Sequence, residues 1–133
     1  MAQRSTHRRG NNAIEFALLL PVLLTLVFGA IEYSWYFVQY EAVVRAAQVG
    51  VRAGSQIKRT ANPSPQTTAA NVAKSTLTTS QPALGATATA TGSVLTNNTV
   101  QILLSAPYKP LIKFVPTPAT VTYTAVMRLE DTT

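Results

Sequence analysis

The sequence predicts an α+β fold: a long N-terminal transmembrane helix continuing into a small domain with a second short helix and a three-stranded antiparallel sheet. Three observations carry this. An uncharged apolar run, FALLLPVLLTLVFGAI, fills Phe16 to Ile31. Helical spacing of apolar residues recurs between Ser64 and Ser80. After that, three runs alternate apolar residues with threonines or other polar residues, the period of a half-buried strand. With 133 residues there is room for one small domain and not two.

The apolar run covers roughly 24 Å at ~1.5 Å per residue, a little less than the ~30 Å hydrocarbon core. Extension through Val38 makes a span over about residues 16–38. Glu32 then falls near the outer edge. Tyr33, Trp35, Tyr36 and Phe37 fall in the interfacial belt that amphipathic rings favour. Arg4, Arg8 and Arg9 precede the span, so the positive-inside rule keeps the N-terminus cytoplasmic and the remaining chain outside. Membrane helices tolerate Pro21 and Gly29. Pro21 either kinks the helix or lies too near its start to matter.

An ordinary secretory signal needs small residues at a cleavage site after the apolar stretch. Phe28-Gly29-Ala30 fits that poorly. Glu15 is more informative, because an acid at the start of an apolar span is costly without a function or a partner. Arg8-Arg9-Gly10-Asn11-Asn12-Ala13-Ile14-Glu15-Phe16 resembles the type IV prepilin signal, specifically that of the TadE-like pseudopilins of tight-adherence (Tad/Flp, type IVc) pilus systems. The stretch Ala46 to Ala53 is similar to an Ala-Ala-Arg-Glu-Gly-Ala-Arg stretch of that family. Gln48 and Val49 stand here for its Arg-Glu pair, so an ion pair there is lost.

The resemblance implies a pilin-like fold and processing by a membrane-embedded prepilin peptidase between Gly10 and Asn11. Residues 1–10 are then a leader, 11–54 a long helix, and 55–133 an extracytoplasmic α+β domain. Gly10 has no Cβ and suits a protease cleft. Cleavage creates an α-amine on Asn11, and Glu15, about one turn on, is placed to offset it in the same or a neighbouring subunit. Phe16 opens the apolar face beside Glu15. The implied role is a minor pilin or pseudopilin that assembles into, primes or caps a filament for adhesion or secretion. A minor subunit is favoured, since major subunits of these systems are usually much shorter. The implied partners are membrane lipid, the prepilin peptidase, other pilin subunits and the assembly platform, in a hetero-oligomer or filament. The implied location is the bacterial inner membrane, and afterwards an extracellular pilus. The alternative is a permanently anchored single-pass protein that scaffolds an envelope complex.

Beyond the span, Ala46, Gly50 and Gly54 repeat every four residues as a small-residue ridge that permits close helix packing. Its partner is the protein's own domain or a neighbour; a fraying end with Gly54 near the C-cap is the plainer reading. Ser55 to Pro65 is a linker. Ser64 is placed as N-cap of the second helix, with Pro65 at its first position, and Gln81-Pro82 ends it. The strands are expected at Ala86–Thr91, Thr99–Ala106 and Ala119–Leu129, with Asn97-Asn98 in a tight turn. Pro107 to Pro118 holds four prolines and cannot be a central strand. Its Leu111, Ile112, Phe114 and Val115 either pack under the sheet, the favoured reading, or form an exposed apolar contact. The uncharged first strand, at Thr87 and Thr89, would suit strand addition between subunits.

The residues needed for catalysis are missing. The chain has no cysteine and one histidine, His7, inside the expected leader. Asp131 is the only aspartate, and no glycine-rich phosphate loop occurs. No triad, metal site or cofactor site can be read from these residues, and an enzyme is not expected. The formal charge is +6, but only the N-terminal tip clusters its cations, and no charge lies between Ser75 and Tyr108. A groove that follows phosphates needs clustered cations, so nucleic acid is not an expected partner.

Overall fold

Small residues four apart on two successive helices decide how the domain is built. In the computed structural model, residues 7–61, 63–95, 97–113 and 115–130 are described, with side chains from residue 12 onward. Helix α1, His7–Ser55, is 49 residues long, which at ~1.5 Å per residue makes a rod of roughly 73 Å. It runs unbroken through Pro21, and the Thr25 hydroxyl donates to the Pro21 carbonyl at 2.8 Å. It begins before the expected Asn11, so Gly10 and Asn11 lie in its first turns.

Helix α2, Pro65–Ser80, buries Pro65, Ala69, Ala73 and Leu77, one residue per turn on one face. That stripe meets the ridge of α1. A Cβ built on Gly50 would lie 2.6 Å from both the Ala69 carbonyl oxygen and the Ala73 Cβ. One on Gly54 would lie 2.6 Å from the Ala69 Cβ and 2.7 Å from the Pro65 carbonyl oxygen. Rising numbers on α1 thus meet falling numbers on α2, and the helices are antiparallel. Ser64 occupies the N-cap position, but its hydroxyl pairs with that of Thr67 at 2.9 Å and caps no backbone donor.

A third helix, α3, covers Pro82–Gly85, where the sequence reading placed only the end of α2. It also delays the first strand. Ala86, Thr87 and Ala88 give their backbone N–H groups to Pro82, Leu84 and Gly85 carbonyls in successive turns. Strand β1 therefore spans Thr89–Leu95 rather than Ala86–Thr91. Thr87, placed at the sheet edge by the alternation, precedes the strand, and its hydroxyl donates to the Leu84 carbonyl. Strands β2, Thr99–Pro107, and β3, Thr120–Arg128, lie within a residue of expectation.

The sheet is an antiparallel meander, β1-β2-β3, with Leu95 opposite Thr99 and Ile102 opposite Ala125. Asn98, in the β1–β2 turn, takes φ +59°, a left-handed conformation that asparagine tolerates better than most residues. Val100, Ile102, Leu104 and Ala106 point inward, with Val121 and Ala125 beside them. They close on Val43, Ala46, Ala47 and Val51 of α1 and on the α2 stripe as one core. The opposite face is open and uncharged except for Arg128.

The proline-rich link between β2 and β3 does not go under the sheet. Leu111 is 59% and Ile112 37% exposed. Their backbone is drawn to α1 instead, through bonds described below. Phe114 lies outside the described residues.

Overpacking at Gly50 gives a direct test of the core. Gly50→Val should cost about 2 kcal/mol or more, a fall of roughly 10 °C in the melting temperature followed by circular dichroism. Val49→Ala, on the exposed face of the same turn, should leave the melt almost unchanged.

Candidate functional site

Burial along α1 divides the helix at Glu32. From Asn12 to Ile31 every residue is exposed except Gly29, which is half-buried. Phe16, Leu18, Leu19, Val22, Leu23 and Leu26 point outward on all sides. A helix apolar all round is not a water-facing surface; it belongs in lipid or among other helices. The segment is long and apolar enough to cross a membrane. From Glu32 on, a stripe through Gln39, Val43, Ala46, Ala47, Gly50, Val51 and Gly54 is buried in the domain.

Glu32 marks the division. It is an acid with no exposed surface, and a buried charge is tolerated only when fully hydrogen-bonded. The link after β2 supplies the donors. The Tyr108 hydroxyl donates to Oε1 at 2.5 Å. Leu111 N–H donates to the same oxygen at 3.1 Å, and Ile112 N–H to Oε2 at 2.8 Å. Burial, and then the neighbouring carboxylate, push the Tyr108 hydroxyl above the ordinary tyrosine range, so it remains a donor.

Two turns along the same face, Gln39 extends the clasp. Its Nε2 donates to the Lys109 carbonyl at 2.8 Å, and its Oε1 accepts from Lys109 N–H at 3.2 Å. The Trp35 indole N–H donates to the same carbonyl at 3.0 Å. Tyr36 packs edge-on against Tyr108, with ring centroids 5.4 Å apart. Of the aromatic cluster expected in one interfacial belt, Trp35 and Tyr36 thus turn toward the domain, while Tyr33 and Phe37 remain exposed.

The structure keeps the sequence-predicted residues in two separate regions. Gly10 and Asn11 lie in the first turns of α1, and their side chains are outside the described residues. Glu15 and Phe16 follow on its exposed part. Ala46, Gly50 and Gly54 lie against α2, roughly 60 Å from the Gly10–Asn11 bond along the rod. The residues expected to serve processing and assembly therefore form no joint site with the ridge. Sequence reasoning missed the clasp itself, made by Glu32, Gln39 and Tyr108. Its signal was an acid and an amide seven residues apart, hence on one helix face, inside an otherwise apolar and aromatic run. Among the described residues no group of three or more His, Cys, Asp or Glu side chains gathers as metal ligands would.

Residues 10–52 match the model of a family described as TadE-like protein. The matched segment holds Gly10, Glu15, the bare apolar stretch, Glu32 and the start of the ridge. No curated protein and no solved structure matches the chain.

Removing the acceptor should release the link. Glu32→Ala leaves the Leu111 and Ile112 amides without their acceptor and the Tyr108 hydroxyl with only the residue-32 carbonyl at 3.4 Å, and amide hydrogen exchange at Leu111 and Ile112 should accelerate by more than about tenfold. Tyr108→Phe, which removes one donor, should give a smaller acceleration at the same two amides.

Proposed function

Proceeding from a TadE-like segment at residues 10–52, we propose that this chain is a minor pilin or pseudopilin of a Tad-type pilus. It is a structural subunit and not an enzyme. A prepilin peptidase cleaves it between Gly10 and Asn11, and it then assembles into, primes or caps the filament. The observation that supports this best is the division of α1. One half is core for a folded domain, and the other is a bare apolar rod with Glu15 near its start. In the inner membrane, lipid covers the rod. In a filament, the rods of neighbouring subunits cover it, so extraction exchanges one apolar environment for another.

The exposed stretch from Asn12 to Ile31 covers roughly 30 Å, the thickness of the hydrocarbon core. It is the lipid-facing segment, with the N-terminus cytoplasmic and the domain on the outer side. The α-amine freed at Asn11 carries a positive charge at the cytoplasmic end, where Glu15 offsets it. That pairing favours one axial register between subunits, because an acid left unpaired at that depth is costly.

Cleavage at Gly10 inside the first turns of a helix requires local unwinding, which the unsatisfied donors of a helix N-terminus make inexpensive.

Intact mass of the membrane-extracted protein, with and without the prepilin peptidase, tests the reading. Loss of residues 1–10 only when the peptidase is present is expected. An unprocessed chain in both strains would favour the permanently anchored alternative. In the processed protein, Glu15→Ala should keep membrane insertion and lose incorporation into filaments.

A further inference from the structure

The link from Pro107 to Ile112 combines two properties that seldom occur together at a water-exposed surface. Its tip is open and apolar, with Leu111 and Ile112 facing outward. Its backbone has no unused donor. Pro107 and Pro110 carry no N–H. Tyr108 N–H donates to the Ala119 carbonyl, and Lys109 N–H to Gln39. Leu111 and Ile112 donate to Glu32. A loop in water has no need of such completeness, since solvent would serve its donors. A loop at the edge of a bilayer does need it.

Its height agrees. Leu111 shares an open groove of about 370 Å³ with Ala30, Ile31, Ser34, Trp35 and Val38. Val115 reaches lower, its Cγ2 lying 3.9 Å from where a Cβ on Gly29 would be. If the hydrocarbon core ends near Ile31, the groove begins at that edge and rises about 10 Å. The headgroup layer is roughly 5–8 Å deep on each side. The link therefore sits in that layer. Its charges suit the place as well. Lys109 and Lys113 are exposed, and no acid occurs between Pro107 and Pro118. The nearest acid across the contact is Glu32, which is buried and already bonded to the link.

We propose that the segment Lys109–Lys113 is a second membrane contact, in which Leu111 and Ile112 seat in the outer-leaflet interface and Lys109 and Lys113 bind anionic phosphate headgroups. This rests on the reading that α1 spans the bilayer. The clasp at Glu32 and Gln39 ties the link to α1, so the contact fixes the domain's rotation and height on its anchor. A helix alone would leave the domain free to turn about the bilayer normal. Leaving the membrane then requires both the rod and this shelf to exchange lipid for protein.

The absence of cysteine makes the test clean. Nitroxide labels are placed singly at Leu111→Cys, Leu19→Cys and Ser93→Cys of the full chain in phosphatidylethanolamine–phosphatidylglycerol vesicles. Power-saturation measurements then compare collisions with oxygen and with a water-soluble nickel chelate. The ratio of oxygen to nickel collisions at position 111 should exceed that at Ser93, on the open sheet face, by about tenfold, and position 19 should be deeper still. Lys109→Glu with Lys113→Glu should bring position 111 toward the aqueous value in these vesicles, with little change in phosphatidylcholine. A position 111 as aqueous as Ser93, with position 19 still immersed, overturns the shelf and leaves the span intact. Immersion of position 111 only at high protein-to-lipid ratio, with spin–spin broadening, overturns it in favour of a second copy. An aqueous position 19 overturns the spanning reading together with it.

Discussion

The contact on which the rest of the domain is built is the approach of α1 to α2 at Gly50 and Gly54. There the backbone of one helix rests on Ala69 and Ala73 of the other with no room for a side chain. A short helix of threonines, serines and alanines such as α2 has little apolar surface to offer. It is held because close approach turns its few alanines into full contacts, and dispersion falls off steeply with any gap. The sheet then covers both helices with a single inward face, from Val100 through Ala106 and from Val121 to Ala125. One consequence is mechanical. The anchor and the core are the same helix, with no linker between them, so force applied to the bare rod is delivered directly into the packed domain.

Glu32 sets where that core ends. An acid at this point would be a defect in either neighbouring environment, among the core apolars above or among the bare apolars below. It is tolerated because the Pro107–Pro118 link brings two backbone donors and a phenol to it. The same bonds take the link away from the sheet and leave Leu111 and Ile112 outward at the foot of the domain. A polar requirement at one helix position thus determines where an apolar loop is displayed. The aromatic residues around it divide accordingly, Trp35 and Tyr36 toward the link and Tyr33 and Phe37 away from it.

Most of this architecture could be read from the chain because it depends on local periodicity. The four-residue spacing of Ala46, Gly50 and Gly54, and the two-residue spacing in β2 and β3, each point to one face whatever the partner. The antiparallel sheet and the two principal helices follow from those spacings. The ridge's partner did not follow, because the spacing of small residues is the same for an internal helix and for a neighbour's. The start of β1 was missed because Gln81-Pro82 signals a stop, and nothing in Ala86 or Thr87 distinguishes turn from strand. The clasp was not legible because two of the three donors to Glu32 are backbone groups about 80 residues away along the chain, and backbone groups leave no mark on a sequence. For the same reason Leu111 and Ile112 were expected inside: their hydrophobicity was visible, and the bonds that hold them out were not. Gly10 and Glu15 are a different case, since the roles expected of them come from the resemblance and not from packing.

Helix α1 is one continuous helix with two environments that change at Glu32. Thiol accessibility along that helix tests this most directly, using single cysteines from Asn12 to Arg52 in native membranes and a membrane-impermeant maleimide. Two regimes are expected. Positions 14 to 30 should resist labelling on every side of the helix. Beyond Glu32, exposed positions such as Phe37, Glu41, Gln48 and Arg52 should label, while Val43, Ala47 and Val51 between them should not, giving a helical period. Labelling of positions 18 to 28 at the rate seen for Gln48, or loss of the period beyond Glu32, would contradict it.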